Sequence, residues 1–281
     1  MMTHLRTHSG NLQKLERMAR EMRHDIFRMG MQTGLNGAHF GGGLSLVEIL
    51  AVLYQSVIRV NPAQPRWPER DRVILSKGHG AMAYYAALKQ VGFVTDEELM
   101  TFKSNHTFLY GHPSMNPDKG IEFSSGSLGL GLALGVGTAM GLRRRGNHAP
   151  RVFVLMGDGE CGEGSVWESA ASAAHFGLSN LVAIIDKNGL QYDGPTKDVL
   201  NMDGMAEKWE SFGWQARTVD GHNLTKLLDA FDNWGGKPTV IVANTIKGKG
   251  VSYMENNPAW HHNRLTQAQF DELTAAKAVN P

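Results

Sequence analysis

One cysteine, Cys161, stands in 281 residues, so no internal disulfide framework is available and a reducing compartment, the cytoplasm, is expected. Charge of one sign is also missing: 28 Lys+Arg face 27 Asp+Glu, which leaves no overall basic field for a nucleic acid. The compact basic run Arg143-Arg144-Arg145 is expected at a helix C-terminus, where cations meet the negative end of the dipole. Long apolar runs are absent as well. The uncharged apolar stretch Leu128 to Leu142 is shorter than the ~18 apolar residues of a membrane span. With its five glycines it reads as a buried helix packed closely on another backbone. The first ten residues lack the apolar core of a secretory signal, and neither a Gly-x-Ser-x-Gly elbow nor a Walker-type loop is found.

What is present is an ordinary globular composition, 42% hydrophobic, with strands alternating with helices along the chain. Amphipathic spacing predicts helices from Asn11 to Gly30 and from Ser45 to Ile58, separated by a Gly-rich segment, Gly34 to Gly43. Further helices are expected over Ala81–Val91, Thr95–Phe102 with a Thr95/Glu98 capping box, Leu128–Leu142, Glu163–Phe176, Met202–Phe212, Leu224–Trp234 and Gln267–Ala276. Apolar β-type runs fall at Arg72–Leu75, Arg151–Met156, Leu181–Asp186, Trp214–Val219 and Pro238–Asn244. This order implies an α/β fold, a mostly parallel sheet with helices on both faces. No repeat or linker divides residues 1–281, so one domain is expected, with a peripheral N-terminal helix and a loop-rich C-terminal tail.

Two of these runs end on polar residues suited to a hard cation. One stops at Gly157-Asp158-Gly159-Glu160, and the other just before Asn188, thirty positions after Asp158. Magnesium takes oxygen ligands and keeps part of its shell for substrate phosphates, and ligands of open α/β sheets bind at the carboxyl ends of the strands. The flanking glycines would allow a tight turn and close approach to an anion, with the following helix directing its N-terminus there. Taken singly, Gly-Asp-Gly can be only a turn and Asn188-Gly189 only a hairpin signal. Several of the 12 histidines lie in Gly-rich or polar loops: His39, His79, His112 and the pair His261-His262.

Gly157-Asp-Gly159 with Asn188 resembles the thiamine diphosphate motif, which begins Gly-Asp-Gly and ends in Asn about thirty residues on. Ser76-Lys-Gly-His79-Gly, Gly111-His112-Pro, Ser125-Gly-Ser-Leu-Gly129, Gly159-Glu-Cys-Gly-Glu163-Gly and Asn244-Thr-Ile-Lys-Gly-Lys-Gly250 narrow the likeness. Together they resemble the amino-terminal domain of transketolases, in order, from about residue 15 to residue 270. The resemblance implies Asp158, Asn188 and the Leu190 carbonyl as Mg2+ ligands. It implies that Gly126, Ser127, Leu128, Gly159 and Glu160 lie along thiamine diphosphate. His39, His79, His112 and His261 would serve at cofactor and sugar hydroxyls, with His262 leaving the register at His261 open by one. Every half of a ketol transfer moves a proton to or from a hydroxyl, which suits histidines near their ordinary pKa. Glu163 matches an acidic residue at the family's subunit interface.

Full-length transketolases continue into a second α/β domain that grips the aminopyrimidine, and its motifs are not found here. The resemblance therefore implies a split enzyme: this subunit for the diphosphate, a separately encoded subunit for the pyrimidine, together α2β2, acting on sugar substrates. Two other readings are an α subunit of a 2-oxo acid dehydrogenase and a catalytically idle thiamine diphosphate-binding module.

Overall fold

The computed structural model describes residues 8–232 and 235–275; residues 1–7 and the expected helix ends at Trp234 and Ala276 lie outside them. The chain begins with α1 (His8–Gln32), which buries Leu15, Met18, Ala19, Met22, Ile26 and Phe27 at helical spacing. Short helices α2 (Phe40–Leu44) and α3 (Val47–Val52) lead to β1 (Arg72–Leu75), α4 (Ala81–Gln90) and α5 (Asp96–Leu99). Next come α6 (Leu130–Arg144), β2 (Val152–Gly157), α7 (Gly164–His175), β3 (Leu181–Lys187) and a two-residue hairpin, β4 (Leu190–Gln191) with β5 (Gly194–Pro195). The chain closes with α8 (Thr196–Val199), α9 (Met205–Ser211), β6 (Gln215–Asp220), α10 (Leu224–Ala230), β7 (Thr239–Asn244) and α11 (Gln267–Ala275).

Five strands form one parallel sheet in the order β1-β2-β3-β7-β6. Its central strands are buried on both faces, which explains why they read as continuous apolar runs rather than as alternations. Phe153, Leu155, Val182, Ile184 and Ile241 point into a core with α1, α3, α4 and α10. Val152, Val154, Ala183, Ile185 and Val240 point into the opposite core, with α6, α7 and α9. Because all five strands run the same way, every strand exit lies on one edge.

Local expectations fare unevenly. The capping box is present, with Thr95 Oγ1 accepting from Glu98 N at 3.1 Å and Glu98 accepting from Thr95 N at 2.9 Å. The helix predicted to run to Ile58 instead widens at Leu53–Val57 into a π turn and leaves in extended backbone. The Gly-rich segment between the two predicted helices runs into α2, whose glycines provide space: a Cβ on Gly42 would lie 2.6 Å from His79 Cδ2. The Leu128–Leu142 stretch is helical from Leu130 onward but only half-buried. Gly131, Leu132, Gly135, Val136 and Ala139 face the protein, whereas Leu130, Ala133 and Gly137 are exposed. Its glycines divide the same way, since a Cβ on Gly131 would meet the Ser76 backbone at 2.8 Å and one on Gly137 would meet nothing within 4 Å.

Gly131→Ala should therefore destabilise by about 1–3 kcal/mol through overpacking, despite the better helix propensity of alanine. Gly137→Ala should be neutral or stabilise by up to about 1 kcal/mol. Urea unfolding midpoints of the two variants check this, and equal shifts would contradict the packing argument.

Candidate active site

Beneath the exits of β1, β3 and β7 lies a buried carboxylate, Asp186, with its side chain 0% exposed. It pairs with the equally buried ammonium of Lys77 from the β1 exit. Asp186 Oδ2 also accepts from Ser45 Oγ at 2.6 Å and Asn188 Nδ2 at 3.2 Å, and Oδ1 accepts from Thr245 Oγ1 after β7. Burial raises the Asp186 pKa, but the Lys77 charge and these hydrogen bonds outweigh it, so the net shift is downward and the group is ionised. A neighbouring carboxylate, Glu160, is buried too. It accepts from Gly129 N at 2.9 Å, Gly157 N at 3.1 Å and the Ser76 hydroxyl, and so ties the loop before α6 to the exits of β1 and β2.

Above Asp186 a pocket of about 310 Å³ opens between the exits of β2 and β3. Asp158, Asn188, Leu190, Lys77, His79 and His261 line it. Asp158 Oδ2 accepts from Gly189 N at 2.8 Å, and Oδ1 from Gly159 N at 3.0 Å, so the two strand exits are joined. Asn188 Oδ1 accepts from Leu190 N at 3.1 Å. The Leu190 carbonyl faces the ammonium of Lys247, 3.1 Å away, and the same nitrogen lies 2.9 Å from His261 Nδ1. Burial and the Asp186 charge raise the Asp158 pKa, whereas burial and Lys77 lower that of Lys247 to about 8. The oxygens of Asp158, Asn188 and Leu190 are hard donors that could hold a divalent cation, and Lys77 and Lys247 could face a diphosphate.

His79 also borders a second cavity of about 250 Å³, shared with His39, His112, His262 and Lys103. The rings converge on His39, whose centroid lies 6.0 Å from His79, 5.4 Å from His112, 5.5 Å from His261 and 4.6 Å from His262. Histidines from four separated segments thus surround one space. The register question at the pair resolves into two positions: His261 borders the Asp158 pocket, and His262 the second cavity. The expectation of ordinary histidine pKa values is corrected here. Burial, followed by neighbouring cationic groups, lowers His39 to about 3 and His261 to about 4, and moves His79, His112 and His262 in the same direction. All five are neutral at pH 7, each able to accept on one nitrogen and donate from the other.

Gly126, Ser127 and Leu128 form an exposed rim segment between the unpartnered, buried Ser125 hydroxyl and Gly129. Glu160 has its carboxylate engaged internally, so it shapes the pocket floor. The expected tight turn is present at Asp158, whose carbonyl accepts from Cys161 N at 3.1 Å, although neither glycine beside it has a positive φ. A Cβ on Gly159 would lie 2.9 Å from Gln191 Oε1, so the Gln191 side chain would have to shift to admit one. A separate 3-10 turn, Gly159–Gly162, stands between Asp158 and α7, so the helix N-terminus is displaced from the expected place. Glu163 is exposed at the start of α7. Sequence reasoning missed Lys77, Asp186 and Lys247. The available signal was a charged residue inside or directly after a buried strand, as in Ile184-Ile185-Asp186.

Parallel strands whose polar exits share one ligand pocket define an α/β protein of the nucleotide- or diphosphate-binding class. The chain belongs more narrowly to the transketolase family: the transketolase, thiamine diphosphate binding domain model matches residues 26–281. It is 41% identical over 251 residues to one subunit of the apulose-4-phosphate transketolase of Actinobacillus succinogenes, covering 89% of this chain and 90% of that one. It is 40% identical to the SqwG subunit of the 6-deoxy-6-sulfo-D-fructose transketolase of a Clostridium species, covering 86% and 88%. The solved transketolase of Campylobacter jejuni superposes with a TM-score of 0.84 at 27% identity, over 94% of this chain and 43% of that one. The chain thus spans less than half the length of that transketolase.

The unfolded imidazole takes up a proton near pH 6.5, and folded His39 only near 3. The stability gained by keeping it neutral is therefore complete above pH ~6.5 and declines as the pH falls toward 3. Between about pH 7.5 and 5 the wild type should lose about 2 kcal/mol more stability than His39→Asn. Urea denaturation at the two pH values measures it, and parallel losses would refute the assignment.

Proposed function

We propose that this chain is the diphosphate-binding subunit of a two-subunit transketolase, which transfers a two-carbon ketol unit from a ketose to an aldose. The observation that carries this reading is the convergence of His39, His79, His112 and His261 beside a pocket where Asp158, Asn188 and the Leu190 carbonyl meet. A catalytically idle binding module would not need four imidazoles around one space. The matched family also favours a transketolase over a 2-oxo acid dehydrogenase.

The pocket suits thiamine diphosphate with Mg2+. Among its acids Asp158 is held toward protonation by burial and by the Asp186 charge, which a divalent cation would offset. Among the described residues no three His, Cys, Asp or Glu side chains cluster as a metal centre. The cation would instead rest on Asp158, Asn188 and the Leu190 carbonyl and share its shell with phosphate oxygens. Lys247, which holds that carbonyl through its ammonium, would turn its charge to the diphosphate. Gly126 to Leu128 and Gly159 would lie along the cofactor. When bound, thiamine diphosphate supplies a thiazolium carbon that carries the two-carbon unit between sugars. The neutral imidazoles of His39, His79, His112 and His261 accept and return protons at sugar hydroxyls without bringing extra positive charge beside the thiazolium.

The partner in this reading is a separately encoded subunit that holds the pyrimidine end, in an α2β2 assembly. Relatives of nearly the same extent are named as individual subunits of their transketolases, and the rim of the pocket exposes Leu128, Leu130 and Tyr192. Glu163, exposed beside that rim, would face the second copy. The donor is a ketose carrying phosphate or sulfonate, in keeping with the names of those relatives. Among the described residues no helix is long and apolar enough to cross a membrane, and the buried Cys161 thiol suits the cytoplasm.

The chain alone should show no ketol transfer, and mixing it with the partner subunit, thiamine diphosphate and Mg2+ should restore it. In that mixture Asp158→Ala should weaken Mg2+-dependent thiamine diphosphate binding by roughly 100-fold and abolish turnover. Calorimetry and a coupled sugar assay read the two effects. Robust turnover by the isolated chain, or full activity of Asp158→Ala, would overturn the reading.

A further inference from the structure

Behind the pocket, on the side of the sheet away from α6, a second polar chain reaches the site from α1. Arg23 and Glu48 form a buried ion pair between α1 and α3. Glu48 Oε2 receives His222 Nδ1 at 2.8 Å, from the turn after β6. On the other side of the ring, Ile246 N donates to His222 Nε2 at 2.8 Å. A backbone N–H can only donate, so Nε2 must present its lone pair and the ring proton must sit on Nδ1, directed at Glu48. The tautomer is therefore set by two partners that have no freedom to exchange roles.

Arg23 has a further contact. Its Nε donates to the Lys249 carbonyl at 3.5 Å. The exit segment of β7 is thus held at Ile246 through His222 and at Lys249 through Arg23. Gly248 N donates to Gly41 O at 3.0 Å between these points. Lys247 lies inside the clamped stretch, is 1% exposed, and carries its ammonium to Leu190 O and His261 Nδ1. We infer that His222, fixed by Glu48 and Arg23, is a positioning residue that sets where the Lys247 ammonium stands in the cofactor pocket. This rests on the proposed function only for what Lys247 contacts; the clamp itself is a property of the chain.

His222 touches neither cavity, so its effect must pass through the backbone at Ile246. A ring with no acceptor nitrogen leaves that N–H unpaired and Glu48 with Arg23 alone, whereas a glutamine side chain can both accept from Ile246 and donate to Glu48. Three variants of the full chain separate these cases: His222→Phe, His222→Gln and Lys247→Met. Hydrogen exchange followed by mass spectrometry on the segment 245–250, without ligand, reads the clamp. His222→Phe should speed exchange there by roughly 10-fold or more while distant segments keep their rates, and His222→Gln should restore protection.

Calorimetric titration with thiamine diphosphate and Mg2+, in the presence of the partner subunit, reads the consequence. His222→Phe should raise the Kd by roughly 10-fold, the scale typical of residues that orient a direct contact. His222→Gln should return to within about threefold of the wild type. On a Lys247→Met background the His222→Phe change should add less than about twofold, because its route is already gone. Unchanged exchange in His222→Phe, failure of His222→Gln to rescue, or full additivity with Lys247→Met would each overturn the inference. A wild type that takes up no thiamine diphosphate would instead overturn the proposed function, and the exchange result would still decide the role of His222.

Discussion

The site hangs on one buried charge pair, Lys77 with Asp186. Three strand exits and the start of α3 would otherwise be four independent loops at the sheet edge. Asp186 gathers them, through Lys77 after β1, Asn188 after β3, Thr245 after β7 and Ser45 at the junction of α2 and α3. Such a pair is no source of net stability, because taking both ions out of water costs about as much as their attraction returns. Losing one partner is another matter, at about 3–5 kcal/mol for the stranded charge. The arrangement therefore confers shape more than stability, and it excludes any packing in which these exits separate. Glu160 does the same on the other side of the pocket, between Ser76, Gly129 and Gly157.

Electrostatics follows from this depth. Two carboxylates, Asp158 and Asp186, and two ammonium groups, Lys77 and Lys247, share a poorly hydrated floor. Asp158 is held toward protonation and Lys247 toward neutrality. The five imidazoles beside them carry no charge at neutral pH. A polyanion with its metal ion would meet a pocket that carries charges of both signs, rather than a fixed cationic patch.

Much of the architecture was legible because the strands are apolar runs and parallel sheets bury both faces. Asp158 and Asn188 were legible for the same reason, standing where such runs stop. What escaped was whatever depends on contacts between exits. Asp186 looks like the end of a strand until Lys77, distant in sequence, is brought against it. His222 looks like any histidine in a polar turn until Glu48 and Ile246 close on its two nitrogens. At Gly157 and Gly159 the turn is made without positive φ, and a Cβ on Gly159 would press on the Gln191 side chain. Spatial crowding of this kind leaves no periodic trace in one sequence.

That crowding gives the cavities an asymmetric tolerance to redesign. Glycines stand directly against the side chains that wall them: a Cβ on Gly42 would meet His79, one on Gly78 would meet His112 at 2.9 Å, and one on Gly159 would meet Gln191. No side chain at these positions remains to be trimmed, so point changes there can only shrink the space or displace His79, His112 or Gln191. A bulkier sugar is more readily admitted at the solvent-facing rim, around the exposed Tyr192 and Leu128, where side chains can still be shortened.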